Sequence, residues 1–178
     1  MNDLDNKDLI GRAKKGDAKA FEALVNASYR IMFKMAFKYC GNQRDAEDIT
    51  QDACIKLVHG IKKFKGDCAF TSWLYRLVIN CAKDFYKKSN RHTPQETEME
   101  SIATSDKADE KLYARQVIDA VHQLPDGEKE AVLLVHGEGL SHKEAAEILE
   151  VKESTISWRI HEARKKLSDQ FERNQNHG

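Results

Sequence analysis

No run of eighteen apolar residues occurs in this 178-residue chain, so no membrane-spanning helix is encoded. The first residues, MNDLDNKDLIGRAKK, are charged and lack an apolar signal core, which leaves no export signal and a cytoplasmic location as the expectation. Paired cysteine spacing is missing as well. Cys40, Cys54, Cys68 and Cys81 lie far apart and show no C-x-x-C of the kind that zinc ribbons and redox motifs use. Reduced, partly buried thiols are expected, with no metal and no cofactor, and a cysteine-based redox or metal sensor stands only as an alternative class. There is no strand-like alternation, no internal repeat and no net charge, since 29 Lys and Arg balance 29 Asp and Glu. With a third of the residues charged, whatever core the chain builds must be small.

The balanced charge is unevenly spread. Residues 1–91 carry a net +7, residues 92–110 a net −5 and residues 111–178 a net −2, a basic block, an acidic connector and a mixed block. Helical periodicity fills the first and third. Asp17 caps a segment in which Phe21, Leu24, Val25, Met32, Met35, Ala36 and Tyr39 follow helical spacing up to Gly41. A second helix opens near Asp45 with Ile49, Ala53 and Leu57 on one face. A third carries Phe70, Trp73, Leu74, Leu77, Val78, Cys81, Ala82 and Phe85, an apolar stripe that reads as core. Periodicity then stops: HTPQETEMESIATSDKA has the composition of a flexible linker. Beyond it Tyr113, Val117, Val121 and Leu124 restore the helical rhythm. The expected fold is all-α, with helical domains over residues 1–91 and 109–178 and an acidic linker over 92–108.

Residues 140–167, LSHKEAAEILEVKESTISWRIHEARKKL, are the most informative. Ser141 followed by Glu144 makes a capping box that starts a helix with Ala145, Ile148 and Leu149 facing inward. A turn around residues 150–152 leads to a second helix buried through Ile156, Ile160, Ala163 and Leu167. Two short helices joined in this way have helix-turn-helix geometry, whose second helix enters the major groove by its N-terminal residues. Its outer side offers Lys152, Glu153, Ser154, Thr155, Ser157, Trp158, Arg159 and His161, with Arg164 and Lys165 further on, groups able to bond base edges and phosphates. An ordinary helical hairpin, its late cations complementing the helix dipole, fits the same pattern. The domain's −2 charge suggests a DNA reader that needs help from elsewhere.

On the helix starting at Phe70, the face away from the apolar stripe shows Arg76, Asn80, Lys83 and Lys87, with Tyr75, Tyr86 and Phe64 close by. Cations for phosphates, rings for unstacked bases and an amide for a base edge are what single-stranded nucleic acid requires. A solvated helix flank with half-buried tyrosines would look alike. The small loop KGDCAF beside this track favours the first reading, because such a loop can receive a flipped base.

DAEDITQDACIKL, FKGDCAFTSWLYRLVINCAKDFYKK, LPDGEKEAVLL and LSHKEAAEILEVKESTISWRIHEARKKL stand in the order and spacing of the bacterial extracytoplasmic-function (ECF) sigma factors, and the chain resembles that family over nearly its whole length. FKGDCAFTSWLYR is especially similar to the envelope-stress sigma factors of proteobacteria. The resemblance implies a transcription initiation factor without a catalytic site, whose partners are core RNA polymerase, promoter DNA and an anti-sigma factor. It implies that Asp45, Glu47, Asp48 and Asp52 dock on the clamp helices of the β′ subunit. It further implies that Phe64, Gly66, Asp67, Cys68, Ala69 and Phe70 form a loop accepting an extruded −10 base, that Asn80 recognises the base, and that Trp73, Tyr75, Arg76 and Lys83 support strand separation and backbone contact. The second helix of the C-terminal pair would read −35. Glu96, Glu98, Glu100 and Asp106 would let the linker imitate nucleic acid in the RNA exit path.

The chain departs from the family at three places. Glu150 stands where glycine is common, Lys152 where a small or hydroxyl residue is common, and Glu162 where a basic residue is common. These departures bear on which promoter is read. A helix-turn-helix regulator binding duplex DNA unaided is the competing class.

Overall fold

The computed structural model describes residues 7–89 and 108–175, and the chain divides into two compact units, Met1–His92 and Thr93–Gly178. All regular structure among the described residues is helical. The expected linker at 92–108, with its four named acids, lies outside the described residues save for Ala108.

The first unit consists of α1 (Lys7–Lys14), α2 (Ala18–Cys40), α3 (Gln43–Gly60), a 3₁₀ turn (Ile61–Lys63) and α4 (Phe70–Ser89). Asp17 caps α2 by accepting the amide of Ala20 at 3.0 Å, and the Arg12 guanidinium grips the same carboxylate at 2.7 Å. Both contacts, the amide foremost, hold the Asp17 carboxyl below the usual carboxylate range. Gly41, in the left-handed region at φ 78°, ends α2 by returning its amide to Phe37. Asn42 then caps α3 through the amide of Asp45, at 2.9 Å. Two long helices are thereby turned against each other within three residues, and α4 packs across both. Leu24, Met32, Met35, Ile49, Leu57, Phe70 and Leu74 fill the core, each large side chain contributing about 1.5–3 kcal/mol by burial.

The expected stripe of α4 is narrower than its sequence suggests. Phe70, Leu74, Val78, Cys81 and Ala82 are buried, but Trp73, Leu77 and Phe85 are only half-buried, and Ile79, outside the stripe, is buried. The core of three helices covers an arc of α4 centred on Val78, which includes its neighbour Ile79 and leaves the flanks open. On α2, likewise, Ala20 and Ser28 are buried where Phe21 and Val25 are half-exposed.

The second unit runs α5 (Ala108–His122), α6 (Asp126–Val132), a π-helical turn (Leu133–Gly137), α7 (His142–Leu149) and α8 (Glu153–Gln175). The Pro125 carbonyl accepts the amides of Glu128 and Lys129, both at 2.9 Å, and so starts α6. Ala120, Leu124, Leu134, Ala145, Ala146, Ile148, Ile156, Ile160 and Ala163 form the core, while Val117, Val121, Leu149 and Leu167 sit half-buried at its rim. The Tyr113 side chain lies outside the described residues. Both arms of the Ser141–Glu144 capping box are made, and they hold the Glu144 carboxyl below its usual range.

Glu150 ends α7 at φ 56° and ψ 42° and is the single non-glycine residue at positive φ among the described residues. That conformation costs an L side chain roughly 1–2 kcal/mol, which explains why glycine suits the position. Glu150→Gly is expected to stabilise the second unit by about 1 kcal/mol, read as a higher thermal midpoint of its transition. A lowered midpoint would show that the glutamate's own contacts outweigh the backbone strain.

Candidate nucleic-acid interface

Between α3 and α4 the first unit opens a cavity of about 230 Å³ lined by Lys56, Trp73, Arg76, Leu77 and Asn80. Helical spacing on α4 brings residues 73, 76, 77 and 80 to one side, and Lys56 comes from the neighbouring helix, a contribution that periodicity of α4 alone could not reveal. The Lys56 ammonium lies 2.9 Å from the Asp84 carboxylate, which raises the lysine pKa and lowers that of the aspartate. The pair is half-exposed and so weak. Asn80 and Lys83 are exposed, and Tyr75 and Arg76 are half-buried along the same helix.

The loop before α4 is anchored at both ends by aromatic rings. Phe64 and Phe70 meet edge to face at 5.2 Å, and each ring lies 5.5 Å from Trp73. Both phenylalanines are buried, and the Phe64 ring closes the base of the loop from inside. The Trp73 indole is set against Gly60, where an added Cβ would come within 3.2 Å of it. Lys65, Gly66, Asp67 and Ala69 are exposed and Cys68 is half-buried, so the tip faces solvent, and Trp73, which packs on both ends of the loop, also lines the cavity. Gly66 turns the tip at φ 79°.

Of the four acids grouped by sequence, Asp45 separates from the others. It is 6% exposed, and its carboxylate accepts from Asn42 Nδ2 at 3.1 Å and from the Tyr86 hydroxyl at 3.4 Å. The helix start consumes this group, and the Tyr86 ring, packed on Tyr39, belongs with it instead of with the basic track. Glu47 is half-buried and bonded to Gln43 at 2.7 Å, while Asp48 and Asp52 are exposed one turn apart. Sequence reading missed their neighbours: Ile55 and Val58, 57% and 45% exposed, put an apolar patch on the outside of α3. Burial pushes the Cys54 and Cys81 thiols up, away from the thiolate that metal binding and redox chemistry use.

In the second unit Lys152, just before α8, and Glu153, Ser154, Ser157, Trp158 and His161 on it lie at the surface, with Trp158 59% exposed. Lys152 precedes the helix, its carbonyl accepting the amides of Thr155 at 2.9 Å and Ile156 at 3.3 Å. The Ser157 hydroxyl lies 2.9 Å from His142 Nδ1 on α7 and so ties the two helices together. Thr155 and Arg159 are half-buried, and the Arg159 guanidinium lies against Gly127 at the start of α6, where a Cβ would come within 2.9 Å of it. Arg159 is therefore turned toward its own domain. Arg164 and Lys165 are exposed, whereas Lys166 is spent on the buried carboxylate of Glu128 at 2.6 Å.

Two family models match this chain: sigma-70 region 2 over residues 24–92 and sigma-70 region 4 over residues 114–167. An ECF RNA polymerase sigma-E factor of Haemophilus influenzae is 30% identical to it over 95% of this chain and 96% of its own. The chain belongs to the ECF sigma factors. This sigma factor is also similar to the RNA polymerase sigma-H factor of Pseudomonas aeruginosa, at 28% identity over 91% of each chain. Among solved structures it matches CnrH, determined in complex with the cytosolic domain of CnrY, with a TM-score of 0.70, 25% identity and coverage of 96% of this chain and 98% of that one. As a sigma factor it directs RNA polymerase to promoters. The region 2 match spans the cavity, the loop and the acids, and the region 4 match ends at Leu167 on α8. No helix among the described residues is long and apolar enough to cross a membrane.

Proposed function

We propose that residues 1–91 dock on core polymerase and open the −10 element, that residues 92–108 form the linker, and that residues 109–178 read −35. The observation that carries this reading is the cavity where Asn80, Arg76 and Lys56 converge, which shares Trp73 with a solvent-facing loop. Donors dominate its polar lining, and an aromatic wall is supplied by Trp73, which suits an unstacked base and its phosphate. Asp48 and Asp52 meet the β′ clamp helices with charge, Glu47 supports them from the side, and Ile55 and Val58 supply the apolar part of that contact. At the start of α8, Lys152 just before the helix and Glu153, Ser154, Ser157, Trp158 and His161 on it face the major groove while Thr155, Arg164 and Lys165 flank them. The protein carries no catalytic site of its own, works in the cytoplasm and is held in check by an anti-sigma factor, as the family resemblance implies.

A pull-down with core polymerase followed by run-off transcription tests this. The protein should bind the polymerase and support transcription that the polymerase alone does not initiate. Exchanging Lys152, Ser157, Trp158 and His161 together for those of another family member should move −35 preference and leave −10 preference alone. A shift in −10 choice would break the assignment of one reader to each domain.

A further inference from the structure

Lys14, the last residue of α1, reaches the root of the loop before α4. Its ammonium donates to the Phe64 carbonyl at 2.5 Å, across fifty residues of sequence, in a part-buried setting. Lysines 62, 63 and 65 around the same corner are exposed. Phe64 is the hinge of the loop: its amide closes the 3₁₀ turn on Ile61 at 3.2 Å, its ring is locked between Phe70 and Trp73, and its backbone then turns extended at ψ 116°. The helix that carries Lys14 is itself rigidly placed. Ile10 and Ala13 are buried, α1 packs against both α2 and the 3₁₀ turn, and Arg12 is clamped to Asp17 at the start of α2.

We infer that Lys14 is a positioning residue for promoter reading: it fixes the root of the 64–70 loop relative to Asn80 and the cavity, and makes α1 part of the −10 reader without touching DNA. This rests on the reading of that loop given above. The physical argument is one of anchoring. A charge-assisted bond to the backbone at the loop's root sets the carbonyl's direction, and with it the path of the five residues that follow. The aromatic cluster fixes where the loop closes, and the directed bond to the carbonyl fixes the orientation of the peptide that leaves it.

The test uses the full chain with core polymerase and pre-melted fork probes, comparing matched with substituted −10 bases. Lys14→Met keeps the stem and removes the bond, and Lys14→Arg keeps a donor. Lys14→Met is expected to lower base discrimination by on the order of threefold to thirtyfold, with polymerase affinity and the salt dependence of DNA binding unchanged; Lys14→Arg should recover most of it. In the free protein, hydrogen exchange at residues 65–69 should quicken in Lys14→Met while the middle of α4 keeps its protection. A uniform loss across all probes, with a salt slope shallower by about one, would make Lys14 a phosphate contact and overturn the inference. Unaltered discrimination in Lys14→Met while Asn80→Ala loses it overturns the inference and leaves the loop reading intact. Unaltered discrimination in both removes that reading and the inference together.

Discussion

Asn80→Ala is expected to remove most base discrimination at the −10 element while leaving the protein folded. The side chain is exposed on α4 and borders the cavity, so alanine in its place costs no packing and slightly favours the helix. What disappears is the one group in the cavity lining that offers a donor and an acceptor together. Arg76 and Lys56 only donate, and Trp73 is a surface for stacking. An amide that pairs with a base edge is worth about 1–3 kcal/mol of discrimination, a factor of ~5 to ~150. Run-off transcription from promoters substituted at each −10 position, with binding to pre-melted probes in parallel, measures this. The loss should concentrate at one base and persist on the melted probe, because the contact is to an extruded base. Unchanged preference at every position would mean that the cavity does not read sequence.

The second large effect is expected from reversing Asp48 and Asp52 to lysine together. Both are exposed and stand beyond the first turn of α3, where the helix dipole has faded, so folding stability should hardly change. Their loss should appear in polymerase binding. Like charges set opposite each other in an interface cost several kcal/mol, so affinity for core polymerase should fall by a factor of about a hundred or more, and the defect should shrink as salt is raised. Asp45 is the informative contrast. Its carboxylate is buried on Asn42 and Tyr86, and Asp45→Ala strands those partners, which costs about 1–3 kcal/mol of stability whatever the polymerase does. A folded Asp48→Lys, Asp52→Lys variant that binds polymerase normally would exclude α3 as the docking surface.

The contrast between Asp45 and Asp48 shows which properties were legible in sequence. Caps and periods are local: Asp17, Gly41 and the Ser141–Glu144 box each act within a turn of the chain, and all three stand where their chemistry demands. The all-α class and the helix-turn-helix followed from these, since a capped run of helical spacing has few alternatives. Glu150 was legible only as a departure from the family's common glycine, and the structure supplied the left-handed backbone that explains it.

Partnerships across the fold were decided elsewhere. Helical spacing places Asp45, Glu47, Asp48 and Asp52 at the start of α3, but only the packing of α4 brings Tyr86 onto Asp45 and takes that carboxylate out of solvent. In the same way Lys56 joins the cavity, Arg159 turns to Gly127, Phe64 closes the loop from within and Lys14 reaches its carbonyl, through contacts that span from six residues to fifty in the chain. The sequence by itself determined the long helices of each unit, their local caps and the resemblance to the family, while α1 went unread. Tertiary structure alone decided which charged and aromatic groups remain free to meet polymerase and DNA, because burial and hydrogen bonding depend on distances between helices that no local pattern encodes.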